Sequence, residues 1–153
     1  MKYFKVILMG LGVLCSILYG DFSVAQKATA KAVQDIYYDN IQYSENVSFY
    51  GVDGLNIQYS GELIAPGDSY EISFDVINDA SEDVTISQCN YQKNDRFVEY
   101  YLTYDNGDLV SVGDILKKGE KRRMKYLVYY KNLIDRDSYE FDSSFYISYE
   151  HVL

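Results

Sequence analysis

The sequence predicts an all-β protein, a single antiparallel β-sandwich of about seven strands. Apolar and polar residues alternate in short runs, and turn-forming residues separate these runs from one another. After residue 25, no segment sustains the 3.6-residue apolar period of a helix. The 153-residue length fits one such domain.

The clearest strand lies in the stretch from Leu63 to Asn78, which contains the only proline. Pro66-Gly67-Asp68 is typical of a turn. Apolar residues then alternate without a break with Ser69, Glu71, Ser73 and Asp75; the apolar set is Tyr70, Ile72, Phe74 and Val76. Period-two alternation predicts a half-buried strand, here a central one, with an acidic outer face in solvent.

Shorter alternating runs predict the remaining strands. They lie at Ile41–Phe49 (interrupted by Glu45), Leu55–Tyr59, Val84–Tyr91, Val98–Tyr104, Met124–Tyr130 and Phe145–Tyr149. Residues 109–116 form a short irregular apolar link, and residues 131–142 are predicted to be a charged loop.

The first 25 residues have the features of a secretory signal peptide. Lys2 and Lys5 precede an uncharged apolar run, residues 6–19, and the small residues Ser23 and Ala25 follow it. An uncleaved membrane anchor is the alternative, although the run is shorter than the roughly 20 residues that span a bilayer. Residues 26–40 are predicted to be a flexible or short helical segment, and 41–153 the sandwich.

Charge and cysteine content narrow the function classes. The formal net charge of −9 argues against nucleic-acid binding and favours solubility. Cleavage after Ala25 would remove Cys15 and leave Cys89 alone, so no internal disulfide is expected. The fold must then depend on its core.

The sequence predicts no enzyme and no cofactor. Triads of the Ser-His-Asp and Cys-His kinds need a histidine, and the only one is His151 near the C-terminus. Residues 105–108 (Asp-Asn-Gly-Asp) and the loop 79–83 offer hard oxygen ligands for calcium, but neither has the EF-hand spacing. A weak calcium site and plain solvated turns both remain open.

Basic residues cluster just before and within the predicted strand around Met124. Lys117, Lys118, Lys121, Arg123 and Lys125 form a candidate patch for an anionic partner, with Arg122 between them. Wall polymer, lipid headgroups or an acidic surface of another copy would fit such a patch. The alternative is an ordinary solvated face whose lysines discourage edge-to-edge strand pairing.

Tyrosine is abundant, with 18 residues, and tryptophan is absent. Parity places Tyr70, Tyr100, Tyr126 and Tyr149 on inward faces, where a large ring with a polar tip suits a core. The opposite parity holds for Tyr101, Tyr129 and Tyr146, which could form a sugar-stacking or protein-binding face or pack at the rim.

Two sets of motifs resemble a known family. Pro66-Gly67-Asp68 followed by Phe74-Asp75-Val76-Ile77-Asn78 is similar to the "PGD … V-x-N" of exported immunoglobulin-like modules. The second set comprises Thr103–Gly107, Val112–Leu116, Gly119-Glu120 and Tyr126–Tyr130. Together they resemble the TasA/camelysin family of secreted and biofilm-matrix proteins of Gram-positive bacteria over about residues 47–149.

The resemblance implies an immunoglobulin-like sandwich and export to the cell surface. It also implies polymerisation by donation of an N-terminal strand, as in the matrix-fibre members. The metalloprotease activity associated with some members is not implied, because the chain has no His-Glu-x-x-His motif.

These observations lead to two expectations for function. The first is a non-catalytic secreted or cell-surface protein in protein–protein interaction, adhesion or extracellular-matrix assembly, with a protein partner or self-association. The alternative is an accessory domain that binds carbohydrate or an anionic wall polymer. Nucleic acid is not an expected partner, and a membrane is expected only through an uncleaved signal peptide.

Overall fold

The structure, a computed structural model, describes residues 35–91, 96–131 and 139–152. The predicted signal peptide, residues 1–25, and most of the segment 26–40 lie outside this range. The described residues form the strands β1 (Ile36–Tyr43), β2 (Val47–Asp53), β3 (Asn56–Leu63), β4 (Ser69–Asn78), β5 (Val84–Asn90), β6 (Val98–Tyr104), β7 (Ile115–Leu116), β8 (Lys121–Tyr130) and β9 (Tyr139–His151).

The strands form two antiparallel sheets. The first sheet has the order β1-β4-β8-β6, and the second has the order β2-β3-β9-β5-β7. Their inner faces supply one apolar core, so the predicted all-β antiparallel sandwich is confirmed. The described residues form more strands than the predicted seven for two reasons. One predicted strand is divided into two strands, and the 109–116 link contains the two-residue β7.

The stretch that holds the only proline is central, as predicted. β4 pairs with β1 on one side and with β8 on the other. Its apolar residues Tyr70, Ile72, Phe74 and Val76 are all buried.

The prediction for the opposite face of β4 is wrong at Ser73 and Asp75, which are buried rather than solvent-exposed. Alternation correctly identified the core-facing side, but a central strand has neighbours whose long side chains extend across its outer face. Arg123 on β8 does this, and its guanidinium contacts both residues.

The predicted strand 41–49 is also wrong, because a turn divides it between the two sheets. β1 ends at Tyr43 in the first sheet and β2 begins at Val47 in the second. Ser44 stabilises the turn: its backbone N–H donates to Glu71 O at 3.0 Å, and its carbonyl accepts from Val47 N at 3.0 Å. The sandwich starts at Ile36 rather than at residue 41, since Ile36 already pairs with Asn78.

Both of these strands lie at sheet edges, and each contains a bulge. In β1 the register shifts between Asp39 and Gln42, where Asn40 has a φ of 49°. In β2 the register shifts between Phe49 and Gly51. The φ of Gly51 is 145°, a backbone conformation that glycine adopts readily because it has no Cβ. Bulges twist an edge and interrupt its row of backbone hydrogen-bonding groups.

Near the C-terminus, β9 begins at Tyr139. The last four residues of the predicted loop 131–142 therefore belong to this strand, and the loop prediction is wrong there. His151 is the last residue of β9 and pairs with Val84, rather than lying beyond the last strand. In the described ranges no helix is long and apolar enough to cross a membrane.

Tyrosine side chains form the centre of the core. The Tyr70 hydroxyl donates to Tyr59 Oη at 3.4 Å, Tyr59 and Tyr126 hydroxyls are 3.1 Å apart, and Tyr126 donates to the carbonyl of Tyr91 at 3.1 Å. Buried hydroxyls that are hydrogen-bonded avoid the cost of desolvation without a partner. All four predicted inward tyrosines, including Tyr100 and Tyr149, are buried.

The ring of Tyr70 fits against Gly61 on β3. A Cβ atom at position 61 would lie 2.4 Å from the Cε1 of Tyr70 and 2.5 Å from its Cζ. Carbon atoms cannot approach so closely, so this glycine creates the space that the buried ring occupies.

Gly61→Ala is therefore expected to lower the free energy of unfolding by about 1–3 kcal/mol, through overpacking. Urea unfolding monitored by circular dichroism measures the change. The double variant Gly61→Ala with Tyr70→Leu is the control, because a smaller side chain removes the clash. Its cost should be less than the sum of the two single costs; strict additivity would contradict this account.

Candidate binding surfaces

The basic strand predicted as an anion site is β8. It is not at an edge, since β4 and β6 flank it on either side. The added role considered for its lysines, that they discourage edge-to-edge strand pairing, is therefore wrong, whereas an ordinary solvated face remains an alternative to an anion site. Lys121, Arg123 and Lys125 alternate with buried Met124 and point to the outer face of the first sheet, as predicted.

Two of these cations share one buried carboxylate, Asp75, which is 4% exposed. Lys121 Nζ lies 2.7 Å from its Oδ2, and Arg123 Nη1 lies 3.1 Å from its Oδ1. Asn40 Nδ2 donates to the same carboxylate at 3.2 Å. Burial opposes the ionisation of Asp75, but these hydrogen bonds outweigh it and hold the pKa of the carboxyl below its usual value.

Arg123 also links three strands. Besides Asp75, its guanidinium donates to Asn40 O at 2.8 Å, to Gln42 Oε1 at 3.0 Å and to Ser73 Oγ at 2.8 Å. The planar guanidinium with five donors suits such a fork. Arg123 therefore fixes the bulge of β1 against the sheet.

The other cations of the candidate patch differ in their surroundings. Lys125 Nζ pairs with Asp105 Oδ1 at 3.0 Å. Lys117 and Lys118 have exposed side chains in the turn before β8, and their backbone N–H groups donate to the carboxylates of Glu120 and Asp83. The structure thus places the five predicted residues on one continuous stretch, but three of them face carboxylates of the same chain.

An open groove of about 630 Å³ lies beside this stretch. Arg122 lies over the ring of Tyr104, 5.0 Å from its centroid, and pairs with Glu120. The Tyr104 hydroxyl donates to Asp114 Oδ2 at 2.7 Å. Exposed Leu109 and Ile115 also line the groove, so apolar groups reach it beside groups of both charges. The remaining lining residues are Asp105, Asn106, Asp108, Lys121 and Arg123.

Exposed apolar side chains gather on two opposite lateral sides of the sandwich. One side, here called the aromatic side, is formed by β1 and β2 and carries Tyr37, Tyr43, Phe49, Tyr50 and Val52. Tyr43 stacks on Phe49 with a centroid distance of 5.5 Å and so bridges the two edge strands. Phe49 is half-buried and the other four are exposed.

The opposite side is here called the crossover side, because residues 105–116 cross it from β6 to β7. It carries Leu109, Val112 and Ile115, each at least 46% exposed. A bridge between Thr103 and Leu109 and the pairing of Ile115 with Thr85 hold the segment in place. The sequence showed this link to be apolar, but only the crossing reveals that these three side chains face solvent.

The three outward tyrosines do not share a surface. Tyr101 and Tyr129 lie on the outer face of the first sheet, on neighbouring strands where Glu99 pairs with Tyr129. Tyr146 belongs to the second sheet, between Asn56 and Asn90. Only the first two can contribute to one binding face.

The described ranges give little support for a metal site or for a reactive cysteine nucleophile. No group of three or more metal-binding side chains occurs there. Asp108 and Asp114, in the predicted calcium turn and beside it, accept bonds from Asn106 and Ser111 instead. Cys89 is a free, half-buried cysteine, and burial raises the pKa of its thiol to about 11, away from the reactive thiolate.

A comparison with known proteins found no matching family model, no similar curated protein and no similar solved structure. The resemblance to the TasA/camelysin family therefore remains an expectation that rests on the sequence motifs.

Asp75→Asn is expected to lower the free energy of unfolding by about 1–3 kcal/mol at neutral pH, because two cations lose their carboxylate. The lowered folded-state pKa means that this stabilisation is fully present above the unfolded-state value of about 3.9 and is lost as pH falls through the folded-state value. The difference from the wild type should therefore shrink in acid, as measured by urea unfolding over a pH series.

Asp105→Asn is the matched control. Its side chain is 68% exposed and also pairs with one lysine, so its removal should cost less than about 0.5 kcal/mol at any pH. Equal costs for the two variants would show that burial of Asp75 does not strengthen its ion pairs.

Proposed function

We propose that this protein is a non-catalytic, secreted or cell-surface β-sandwich module that acts in protein–protein interaction, adhesion or extracellular-matrix assembly. The observation that carries the proposal is the aromatic side. Two bulged edge strands present exposed tyrosines there, and a stacked pair, Tyr43 and Phe49, joins the two strands. Exposed aromatic clusters are typical of protein interaction sites.

The surroundings of the other reactive groups support a binding role over catalysis. His151 lies at the end of β9, with its Nδ1 3.7 Å from Glu82 Oε2. The buried carboxylate of Asp75 is paired with two cations and joins neighbouring strands of the first sheet. Export is supported by the basic, apolar and small-residue pattern of residues 1–25 and by the family resemblance.

The alternative function is an accessory domain for carbohydrate or an anionic wall polymer. Neighbouring Tyr101 and Tyr129 favour it, because aromatic rings on the outer face of a sheet can stack on sugars. Against the anionic polymer, the cations Lys121, Arg123 and Lys125 already face carboxylates. Lys117 and Lys118 are the members of the candidate patch that are best placed for such a ligand.

Two measurements on the full chain separate these functions. Sedimentation velocity over a range of protein concentrations should show self-association, and co-sedimentation with isolated wall polymer should show no retention. A chain that stays monomeric yet is retained by the polymer, with retention lost in Tyr101→Ala and kept in Tyr146→Ala, would instead establish the accessory domain.

A further inference from the structure

The tyrosines fall into two environments. Those in the centre of the core are buried, and their hydroxyls bond to one another, as Tyr70 does to Tyr59. Burial raises the pKa of Tyr70 and Tyr126 well above the usual value for tyrosine. Among the tyrosines whose side chains the structure describes, the exposed ones are Tyr37, Tyr43, Tyr50 and Tyr101. The first three belong to the aromatic side.

Few other side chains would compete with these tyrosines for a one-electron oxidant. The chain has no tryptophan. Met124, the methionine of the described ranges, is 1% exposed. Cys89 is half-buried, and the raised pKa of its thiol disfavours the thiolate, which is the form most readily oxidised. Over the described part of the chain, an oxidant that arrives from solvent therefore meets tyrosine first.

We propose that Tyr37, Tyr43 and Tyr50 are sites of oxidative crosslinking that joins copies of this chain through tyrosine–tyrosine bonds. The oxidant is of the haem peroxidase class, with hydrogen peroxide as the electron acceptor. The inference rests on the proposed secreted or cell-surface location, since such compartments are oxidising. It adds a covalent step to the proposed self-association on the aromatic side.

The reaction couples two phenol rings. Each of the two tyrosines loses one electron and its phenolic proton. Hydrogen peroxide takes up the two electrons and the two protons and becomes two molecules of water. The two phenoxyl radicals then form a carbon–carbon bond between ring positions next to the hydroxyl-bearing carbons. The hydrogen on each bonded carbon moves to the oxygen of its ring, which restores both phenols.

The position of these residues favours bonds between copies. Coupling requires two rings in contact, but Tyr37 and Tyr43 lie near opposite ends of β1, about 18 Å apart at the usual rise of a strand. Tyr43 stacks on Phe49 and still has 51% of its surface exposed, so part of its ring can meet another molecule. Because each copy carries more than one exposed tyrosine on the aromatic side, crosslinking can continue beyond a dimer.

The experiment treats the full chain with a haem peroxidase and hydrogen peroxide. Electrophoresis under denaturing and reducing conditions separates covalent species, dityrosine fluorescence detects the bond, and mass spectrometry of peptides locates it. The triple variant Tyr37→Phe, Tyr43→Phe and Tyr50→Phe keeps each ring but lacks the hydroxyls. Tyr101→Phe is the matched control, because Tyr101 is 39% exposed but lies on the outer face of the first sheet.

The wild type and the Tyr101→Phe variant should form a ladder of covalent species that carries dityrosine fluorescence. The triple variant should lose both, while N-acetyltyrosine added to the same reaction should still couple and so show that the oxidant is active. A triple variant that crosslinks as the wild type does would overturn the proposal. Loss of the ladder in Tyr101→Phe, or fluorescence confined to the monomer band, would overturn it as well.

Sedimentation velocity before oxidation separates this inference from the proposed self-association. A wild type that associates but forms no covalent ladder would overturn the crosslinking and leave the self-association intact. A ladder obtained from a chain that sediments as a monomer would support the crosslinking and contradict the self-association.

Discussion

The pairing of Arg123 with Asp75 is the interaction that ties together three of the four strands of the first sheet, β1, β4 and β8. A carboxylate buried under the side chains of two neighbouring strands needs opposite charge and hydrogen bonds to remain ionised, and Arg123 and Lys121 supply both. The same guanidinium reaches the bulge of β1 and holds the edge strand at Asn40. One ion pair thus connects the centre of the sheet to the strand that begins the aromatic side.

This pairing also changes how the basic stretch is interpreted. In the sequence, alternate cations along β8 suggest a surface for an anionic partner. In the fold, two of these cations pair with the buried carboxylate of Asp75, so the stretch contributes to the structure as well as to the surface. Lys117 and Lys118, which precede the strand, face solvent and are the ones placed to meet a partner.

The core is rich in tyrosine, whose side chain combines a large apolar ring with a polar hydroxyl. Such a core suits a domain whose described residues include a single cysteine, because no disulfide joins them. Tyr59, Tyr70 and Tyr126 bury much apolar area, and their hydroxyls satisfy one another instead of requiring water. This row of hydrogen-bonded hydroxyls favours one arrangement of the two sheets, because each hydroxyl comes from a different strand. The close approach of Tyr70 to Gly61 adds a steric constraint of the same kind.

The sequence alone determined the class of fold, the central position of β4 and the inward tyrosines, because period-two alternation directly reports which side of a strand meets a core. It could not determine where residues 41–49 cross between sheets, since both halves alternate alike and only the Ser44 turn separates them. The ion pair between Arg123 and Asp75 depends on a contact between residues that are distant in the chain. So does the placement of the aromatic and crossover sides on opposite sides of the sandwich. Only the tertiary structure decided these features, because the order of strands brings the groups together and the local sequence pattern does not specify that order.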